Sequence, residues 1–424
     1  MTSAPAISYT CVTCGRGMRT PDVVYRCPHC APISSEASQA GTPSSAADAG
    51  RFQKGNLITV LTMKKPVQPG EPVDPLRLLP LEVDTSAFAV GNTPLVAPGI
   101  LRESTGLANL SLKCDFANPS GSLKDRASLL VAAQARTHGQ VRVALASTGN
   151  AGASMACAGA ALGLEVILFV PASAPRAKLL QSLLYGARVV PVHGTYDDAF
   201  ALSIRYTERF GGINRNTGYN PLTIEGKKTV SVEIFNQLGR TMPDVVYVPV
   251  GDGVILGGVW KGFEDLVTAG IADRPPVLVA VQAEGSNAIA SSWRLGRHTL
   301  LASASTIADS LAVASPANGE MALACLRASG GRAIEVTDQE ISAAQAELAS
   351  KAGLFVEPAS AAAWAGLLKD KSRVDPSCRC VVLLTGTGFK DMPSAEGLVR
   401  FPAPCNPDLE SAADLLLRAY GVRS

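Results

Sequence analysis

The feature that most constrains this chain is an alternation running through residues 57–401. Short β-branched and aliphatic runs are each followed by an Ala- and Leu-rich stretch of helical character. Residues 141–146, 165–170, 187–192, 244–248, 277–281 and 379–384 read as strands buried on both faces. Such strands separated by helices predict an α/β fold, a parallel sheet covered by helices. One helix is expected from Ser122 to Gly139. Another should open at the capping box Thr337-Asp-Gln-Glu340 and stop at Gly353. A last helix is expected with Asn406 as its N-cap, Pro407 in the first position and Asp408 behind it.

With 424 residues, 47% of them hydrophobic, the chain has room for two or three well-packed domains. Its 38 Lys+Arg against 36 Asp+Glu give a net charge of +2, which argues against a dedicated nucleic-acid or membrane-surface protein. The longest uncharged stretch, residues 143–164, has the length of a membrane span. It carries Ser147, Thr148 and Asn150, so it reads as strand, turn and helix. No leader pattern is visible at the amino end, and a cytoplasmic location is expected.

Four of the ten cysteines stand in the first 30 residues. Cys11-Val-Thr-Cys14 and Cys27-Pro-His-Cys30 form two knuckles, a spacing that lets four sulfurs close around a structural zinc. A metal-free remnant or a pair of redox dithiols is the alternative. His29 reads as a solvated neighbour. Arg16, Arg19 and Arg26 against Asp22 make too weak a basic patch for nucleic acid. Residues 31–50, small and polar, are expected to be a linker. The scattered cysteines, Cys114 and Cys157 among them, read as packed small apolar residues.

Four loops carry the chemistry, at strand ends or helix starts where open α/β sheets place ligands. Asn118-Pro-Ser-Gly-Ser-Leu-Lys124 delivers a lysine to the start of an apolar helix. Partial burial and the helix dipole there disfavour its charged form. The loop Ser147-Thr-Gly-Asn-Ala-Gly-Ala-Ser154 turns through two glycines, so that backbone N–H groups face an anion. Val250-Gly-Asp-Gly-Val-Ile-Leu-Gly-Gly258 has the same geometry. Leu384-Thr-Gly-Thr-Gly-Phe-Lys-Asp391 ends the last strand with hydroxyls.

Jointly these loops resemble the fold type II pyridoxal-phosphate enzymes, and within them the threonine synthase family. Gly91-Asn-Thr-Pro-Leu95, the Lys124 segment, the Ser147 loop, Glu225-Gly-Lys-Lys-Thr229, Thr306-Ile-Ala-Asp-Ser310, Glu357-Pro-Ala-Ser360 and the Thr385 loop are similar to that family's landmarks, in its order. The resemblance implies two open α/β sheet domains plus a small zinc ribbon. It divides the chain into a ribbon (1–30), a linker (31–50), a large cofactor domain (51–130 and 225–424) and a small mobile domain (131–224). It implies that Lys124 bonds pyridoxal 5'-phosphate as a Schiff base and moves the protons. Asn150 would meet the ring hydroxyl and Thr385 the ring nitrogen. Gly251, Asp252, Gly253, Val254 and Ile255 would lie at the cofactor phosphate; Asp252 is an oddity in such a loop, and its side chain is expected to point away and cap the following helix. Ser147, Thr148, Asn150, Ala151 and Thr223 would lie along the amino-acid substrate. Cys11, Cys14, Cys27 and Cys30 would hold the zinc, and a homodimer would be the assembly.

Three positions depart from the family pattern, and all bear on substrate. Gly218 and Thr223 stand where a serine and an arginine are common, and Ala151 where a threonine is common. Arg215, Lys227 and Lys228 are the nearby cations able to substitute. Three functions are therefore weighed. The first is a threonine synthase-like elimination and replacement, with O-phosphohomoserine as the nearest substrate. The second is β-replacement or dehydration of phosphoserine, serine or threonine, as in cysteate synthase, or a step toward an unusual amino acid. The third is a non-catalytic binding protein.

Overall fold

The computed structural model describes residues 4–30, 54–62, 67 and 70–422, so the expected linker, residues 31–50, lies outside the described residues. Two compact units result, Met1–Lys390 and Asp391–Ser424. Among its described residues the first unit holds thirteen strands in chain order: β1 (Ile7–Cys11), β2 (Gly17–Thr20), β3 (Leu57–Thr59), β4 (Leu95–Val96), β5 (Leu110–Cys114), β6 (Arg142–Ala146) and β7 (Glu165–Pro171). After these come β8 (Arg188–Val192), β9 (Ile213–Asn214), β10 (Val245–Pro249), β11 (Val277–Ala283), β12 (Arg332–Val336) and β13 (Cys380–Leu384).

The larger sheet has the order β12-β11-β10-β13-β5-β4, parallel throughout except for β4 against β5. Side chains alternate between two cores. Val246, Val248, Leu278, Ala280, Val381 and Leu383 enter one; Val245, Tyr247, Val279, Val281, Val382 and Leu384 enter the other. A strand with helices on both faces has no polar side, which is why these runs read as continuous apolar sequence. The smaller sheet, β8-β7-β6-β9, is parallel. The six strands expected from sequence are present, within a residue or two at their ends.

The ribbon is a three-stranded antiparallel sheet, β2-β1-β3, in which Leu57–Thr59 supplies the third strand. Its apolar side, with Ile7, Tyr9 and Leu57, packs into the same core as Leu129 and Leu130 of the helix Lys124–Thr137 and Val143 and Leu145 of β6. The ribbon also reaches the strand that enters the substrate segment. The Tyr25 hydroxyl accepts from the Asn214 N–H at 2.8 Å, and its ring stacks on Tyr219 at 4.7 Å.

The helix Lys124–Thr137 lies against the helix Leu222–Lys227 so closely that a Cβ on Gly226 would collide with the backbone of Arg126. Two residues after Lys124, Arg126 anchors a buried ion network. It donates to Asp115 at 2.8 and 2.6 Å and to Glu233 at 2.6 and 2.8 Å, while Lys113 donates to Glu233 at 2.7 Å. The Gly91–Leu95 turn is bound into it, because Asn92 N–H also donates to Glu233 at 2.9 Å. That motif is thus scaffold beneath the lysine helix.

The capping box at Thr337 and Glu340 forms, and Gly353 ends that helix in the left-handed conformation. In the second unit the last helix is Leu409–Tyr420, with Asp408 as the N-cap in place of Asn406. Asp408 has Ser411 three residues on, and its carboxylate accepts from both the N–H (2.8 Å) and the hydroxyl (2.9 Å) of that serine. Asn406 has no such partner in the first turn.

Candidate active site

The loops that end β6, β10 and β13 and the turn before the helix Lys124–Thr137 converge on one pocket. Its lining includes Lys124, Asn150, Gly251, Asp252, Gly253, Val254, Ile255 and Thr385, together with Thr217, Ser310 and Glu357. These residues span most of the first unit in sequence. Parallel strands bring them together because each ends at the same edge of its sheet.

The lysine turn is fastened to the end of β13. Leu123 N–H donates to the Thr385 carbonyl at 2.8 Å, and Ser122 forms a bridge with Gly386. Lys124 therefore starts its helix beside Thr385. Burial lowers its pKa, Asp252 and Glu357 oppose that shift, and the Arg215 charge adds to it. Its amine has no hydrogen-bond or ion-pair partner among the described residues. An amine that is buried, unpaired and biased toward its neutral form is a nucleophile and a base.

Asn150 is the first residue of the helix Asn150–Leu162, and its Nδ2 donates to the Glu357 carboxylate at 3.0 and 2.9 Å. Thr385 is held by Ser360, whose Oγ receives the N–H groups of Thr385 (2.9 Å) and Gly386 (2.7 Å). Between β10 and the helix Val254–Thr268 the chain turns at Gly253, with φ 86° as N-cap. A Cβ there would meet the Asn318 carbonyl at 2.7 Å, so only glycine fits. The free N–H groups of that first turn face the pocket and give it an anion cradle.

Asp252 departs from expectation. The helix after it has no side-chain cap; Asp252 lines the pocket. Gly253 holds the cap position, and the Asp252 carboxylate feels the charges of Lys124 and Lys227 and a backbone N–H from Ala317. Burial raises its pKa and those two cations pull it back.

Of the expected substrate residues, Asn150 lines the pocket and the other four lie outside its lining. Ser147 Oγ accepts from the N–H groups of Gly149 (3.3 Å) and Gly152 (3.0 Å), which folds the loop. Thr148 and Ala151 are partly buried and, like Ser147, are absent from the pocket lining. Thr223 is fully buried and its hydroxyl donates to the Asn220 carbonyl at 2.7 Å. Of the nearby cations, Lys228 is paired with Glu225 and Asp265. Lys227 is fully buried and, among the described residues, donates only to the Thr223 carbonyl, at 2.6 Å.

Sequence reading attached no role to Ser310 and Glu357, although both stand in quoted motifs, and missed Thr217. Its signal was position, three residues past the end of β9, where a parallel strand delivers its loop.

This donor set fits pyridoxal phosphate: an unpaired buried lysine for its aldehyde, free helix amides for its phosphate and two polar side chains, Asn150 and Thr385, for its ring. The cysteine cluster likewise fits a metal. Zinc–sulfur bonds of about 2.3 Å in a tetrahedron set sulfurs about 3.8 Å apart. Cys11 and Cys30 lie at 3.7 Å, Cys14 and Cys27 at 3.8 Å, and all four sulfurs within 4.8 Å. The cluster could hold zinc with no open coordination position; His29 is exposed.

Residues 87–386 match the family described as pyridoxal-phosphate dependent enzyme. The chain is 36% identical over 327 residues to a threonine synthase of Methanocaldococcus jannaschii, covering 76% of this chain and 80% of that protein. It is 34% identical over 339 residues to one of Halalkalibacterium halodurans, covering 79% and 93%. Among solved structures it shares the fold of the processed form of threonine deaminase isoform 2 from Solanum lycopersicum, with TM-score 0.65, 22% identity, and coverage of 80% and 98%. Maize serine racemase has the same fold, with TM-score 0.64, 22% identity, and coverage of 73% and 92%.

Proposed function

The chain belongs to the pyridoxal-phosphate dependent enzymes and is threonine synthase-like, and from that premise we propose that it converts O-phosphohomoserine to threonine. The observation that carries this reading is the unpaired Lys124 amine in one pocket with Asn150, Thr385 and the Gly253 helix start.

Pyridoxal phosphate, when bound, supplies an electron-accepting ring that stabilises negative charge on the carbons of the substrate. In our reading the amides of residues 253–255 hold its phosphate. Asn150, steadied by Glu357, orients its ring hydroxyl. Thr385 offers the ring nitrogen a neutral hydroxyl, which leaves that nitrogen less protonated than a carboxylate would and favours elimination over amino-group transfer. Lys124 takes the proton from the substrate α-carbon and returns protons to the carbon chain as the leaving group departs and water adds. Its neutral form is available near neutral pH because burial lowers its pKa. The small domain, residues 131–224, closes over substrate and excludes water from the reacting carbons. We place the enzyme in the cytoplasm as a homodimer with zinc in its ribbon. No helix among the described residues is long and apolar enough to cross a membrane.

A second reading, β-elimination or β-replacement on phosphoserine, serine or threonine, is favoured by Thr223, whose hydroxyl is spent on Asn220. Absorbance of the cofactor-loaded protein, with product analysis, separates the two. O-phosphohomoserine should perturb the cofactor band and yield threonine and phosphate. No threonine from that substrate, with turnover of phosphoserine, would replace the first reading by the second.

A further inference from the structure

Gly55 and Asn56 run between the two cysteine knuckles and touch both. The Gly55 N–H donates to Thr13 Oγ1, inside the first knuckle, at 3.0 Å, and the Gly55 carbonyl accepts from the Cys27 N–H at 2.9 Å. Gly55 has φ 76°, and a Cβ there would press on the Cβ atoms of Cys30 and Cys27 at 3.2 and 3.4 Å, so the position suits glycine. The Asn56 carbonyl accepts from the Val12 N–H at 2.9 Å. A metal that ties Cys11, Cys14, Cys27 and Cys30 together therefore also fixes where Gly55 and Asn56 stand.

From there two side chains reach the start of the helix Gly319–Ala328. Asn56 is buried, and its Nδ2 donates to the Ala317 carbonyl at 2.8 Å and to Asn318 Oδ1. Thr13 Oγ1 donates to the Glu320 carboxylate at 3.0 Å. Residues 317 and 318 in turn hold the loop before the helix Val254–Thr268. The Asn318 N–H donates to the Asp252 carbonyl at 3.0 Å, and the Ala317 N–H bonds the Asp252 carboxylate. The Asn318 carbonyl lies against Gly253, where a Cβ would stand. Asp252 and Glu357 are both acids of the pocket lining, and Asp252 sits within the anion cradle itself. A carboxylate tied to Ala317 is kept from swinging toward a bound anion, where like charges repel.

We propose that the ribbon positions the cofactor cradle: with metal on its four cysteines, Asn56 and Thr13 hold residues 317–320, and through them Asp252 and Gly253, in the arrangement that receives the phosphate of pyridoxal phosphate. Asn56 and Thr13 are positioning residues, and neither lines the pocket. Loss of the metal slackens the cradle, so that cofactor retention responds to metal supply. The inference rests on the reading of the Gly253 helix start as the phosphate site.

The test titrates the full chain, stripped of cofactor and loaded with zinc, with pyridoxal phosphate and, in parallel, with pyridoxal, which has the aldehyde and no phosphate. Absorbance of the lysine-bound cofactor gives Kd, and zinc content is measured on the same samples. Asn56→Ala and Thr13→Val should each raise Kd for pyridoxal phosphate by about 3- to 10-fold, the worth of roughly one hydrogen bond, and leave Kd for pyridoxal unchanged. Thr13→Ser should restore the wild-type value. Chelating the metal, or removing a ligand with Cys14→Ser, should weaken pyridoxal phosphate to a similar extent, and added zinc should reverse the chelation. In Asn56→Ala, metal removal should add less than in the wild type, because both act through one chain of contacts. Unchanged affinity for pyridoxal phosphate in Thr13→Val and after metal removal would overturn the proposal. So would an equal weakening of pyridoxal and pyridoxal phosphate, which would assign the ribbon to general stability, or a wild-type protein that retains no zinc. Wild-type protein that binds neither probe at Lys124 would instead sink the reading of the pocket itself.

Discussion

Two groups of buried charges flank the start of the helix Lys124–Thr137, and the fold treats them in opposite ways. Around Arg126 every formal charge is met: Asp115 and Glu233 take its donors and Lys113 completes the set. Around Lys124 the basic side chains of Lys124, Lys227 and Arg215 have no ion pairs among the described residues. They share one region with Asp252 and Glu357; burial biases both lysine amines toward the neutral form and lowers Arg215. A matched buried network carries its own compensation and serves the scaffold. An unmatched one costs stability until a ligand arrives, which marks a working site.

The largest expected effect falls on the unmatched side. Lys124→Ala should abolish the lysine-bound cofactor band and lower turnover by about 10⁴-fold or more, the upper range for a positioned acid–base group. The melting temperature should hold, since no ion pair is broken. A fall of several degrees would break the comparison.

Glu233→Gln, on the matched side, should do the reverse. It strands Arg126 and Lys113 and should lower the free energy of unfolding by about 3–5 kcal/mol, measured by urea denaturation. The pocket residues should still load cofactor in the fraction that folds.

The same carboxylate sharpens the contrast through pH. Burial would raise the Glu233 pKa, but Arg126 and Lys113 outweigh it and hold it at about 2 against an ordinary 4.5. A depressed carboxylate stabilises above its unfolded pKa and loses that contribution as pH falls through the folded one. Wild-type stability should therefore decline from about pH 4.5 toward 2, by on the order of 3 kcal/mol from this group. The Glu233→Gln protein, already weaker, should show a shallower slope. Equal slopes in denaturant titrations would remove Glu233 from the account.

The smallest effect tests whether the ribbon belongs to the scaffold or to the site. Tyr25→Phe removes the acceptor for Asn214 N–H and should cost about 1 kcal/mol. Because Asn214 lies in β9, whose following loop brings Thr217 to the pocket lining, KM for O-phosphohomoserine should rise slightly with kcat unchanged. Loss of stability with no change in KM would confine this ribbon contact to a structural role.

Much of this was legible in the chain. Strands such as β10, β11 and β13 announce themselves because both faces are buried, so the local run alone carries the signal. The cysteine knuckles are equally local, as is the capping box at Thr337. The glycines before the helix Val254–Thr268 forecast a helix start facing a ligand. Reading failed where a residue's role depended on a partner far away. Asp252 looked like a helix cap because capping is a local act, yet Gly253 holds that position and Asp252 lines the pocket. Gly91–Leu95 was legible only as a motif without a role; its bond to Glu233, some 140 residues on, makes it scaffold.

By itself the sequence determined the alternation of strand and helix, the four-sulfur cluster, and the loops that deliver Lys124, Asn150, Gly253 and Thr385, because periodicity, spacing and turn chemistry act over a few residues. Only the tertiary structure decided which buried charges are matched. Arg126 finds Glu233 across 107 positions, while Arg215 finds no counter-ion among the described residues, and electrostatic energy depends on distance in space and on desolvation, neither of which the order of residues records.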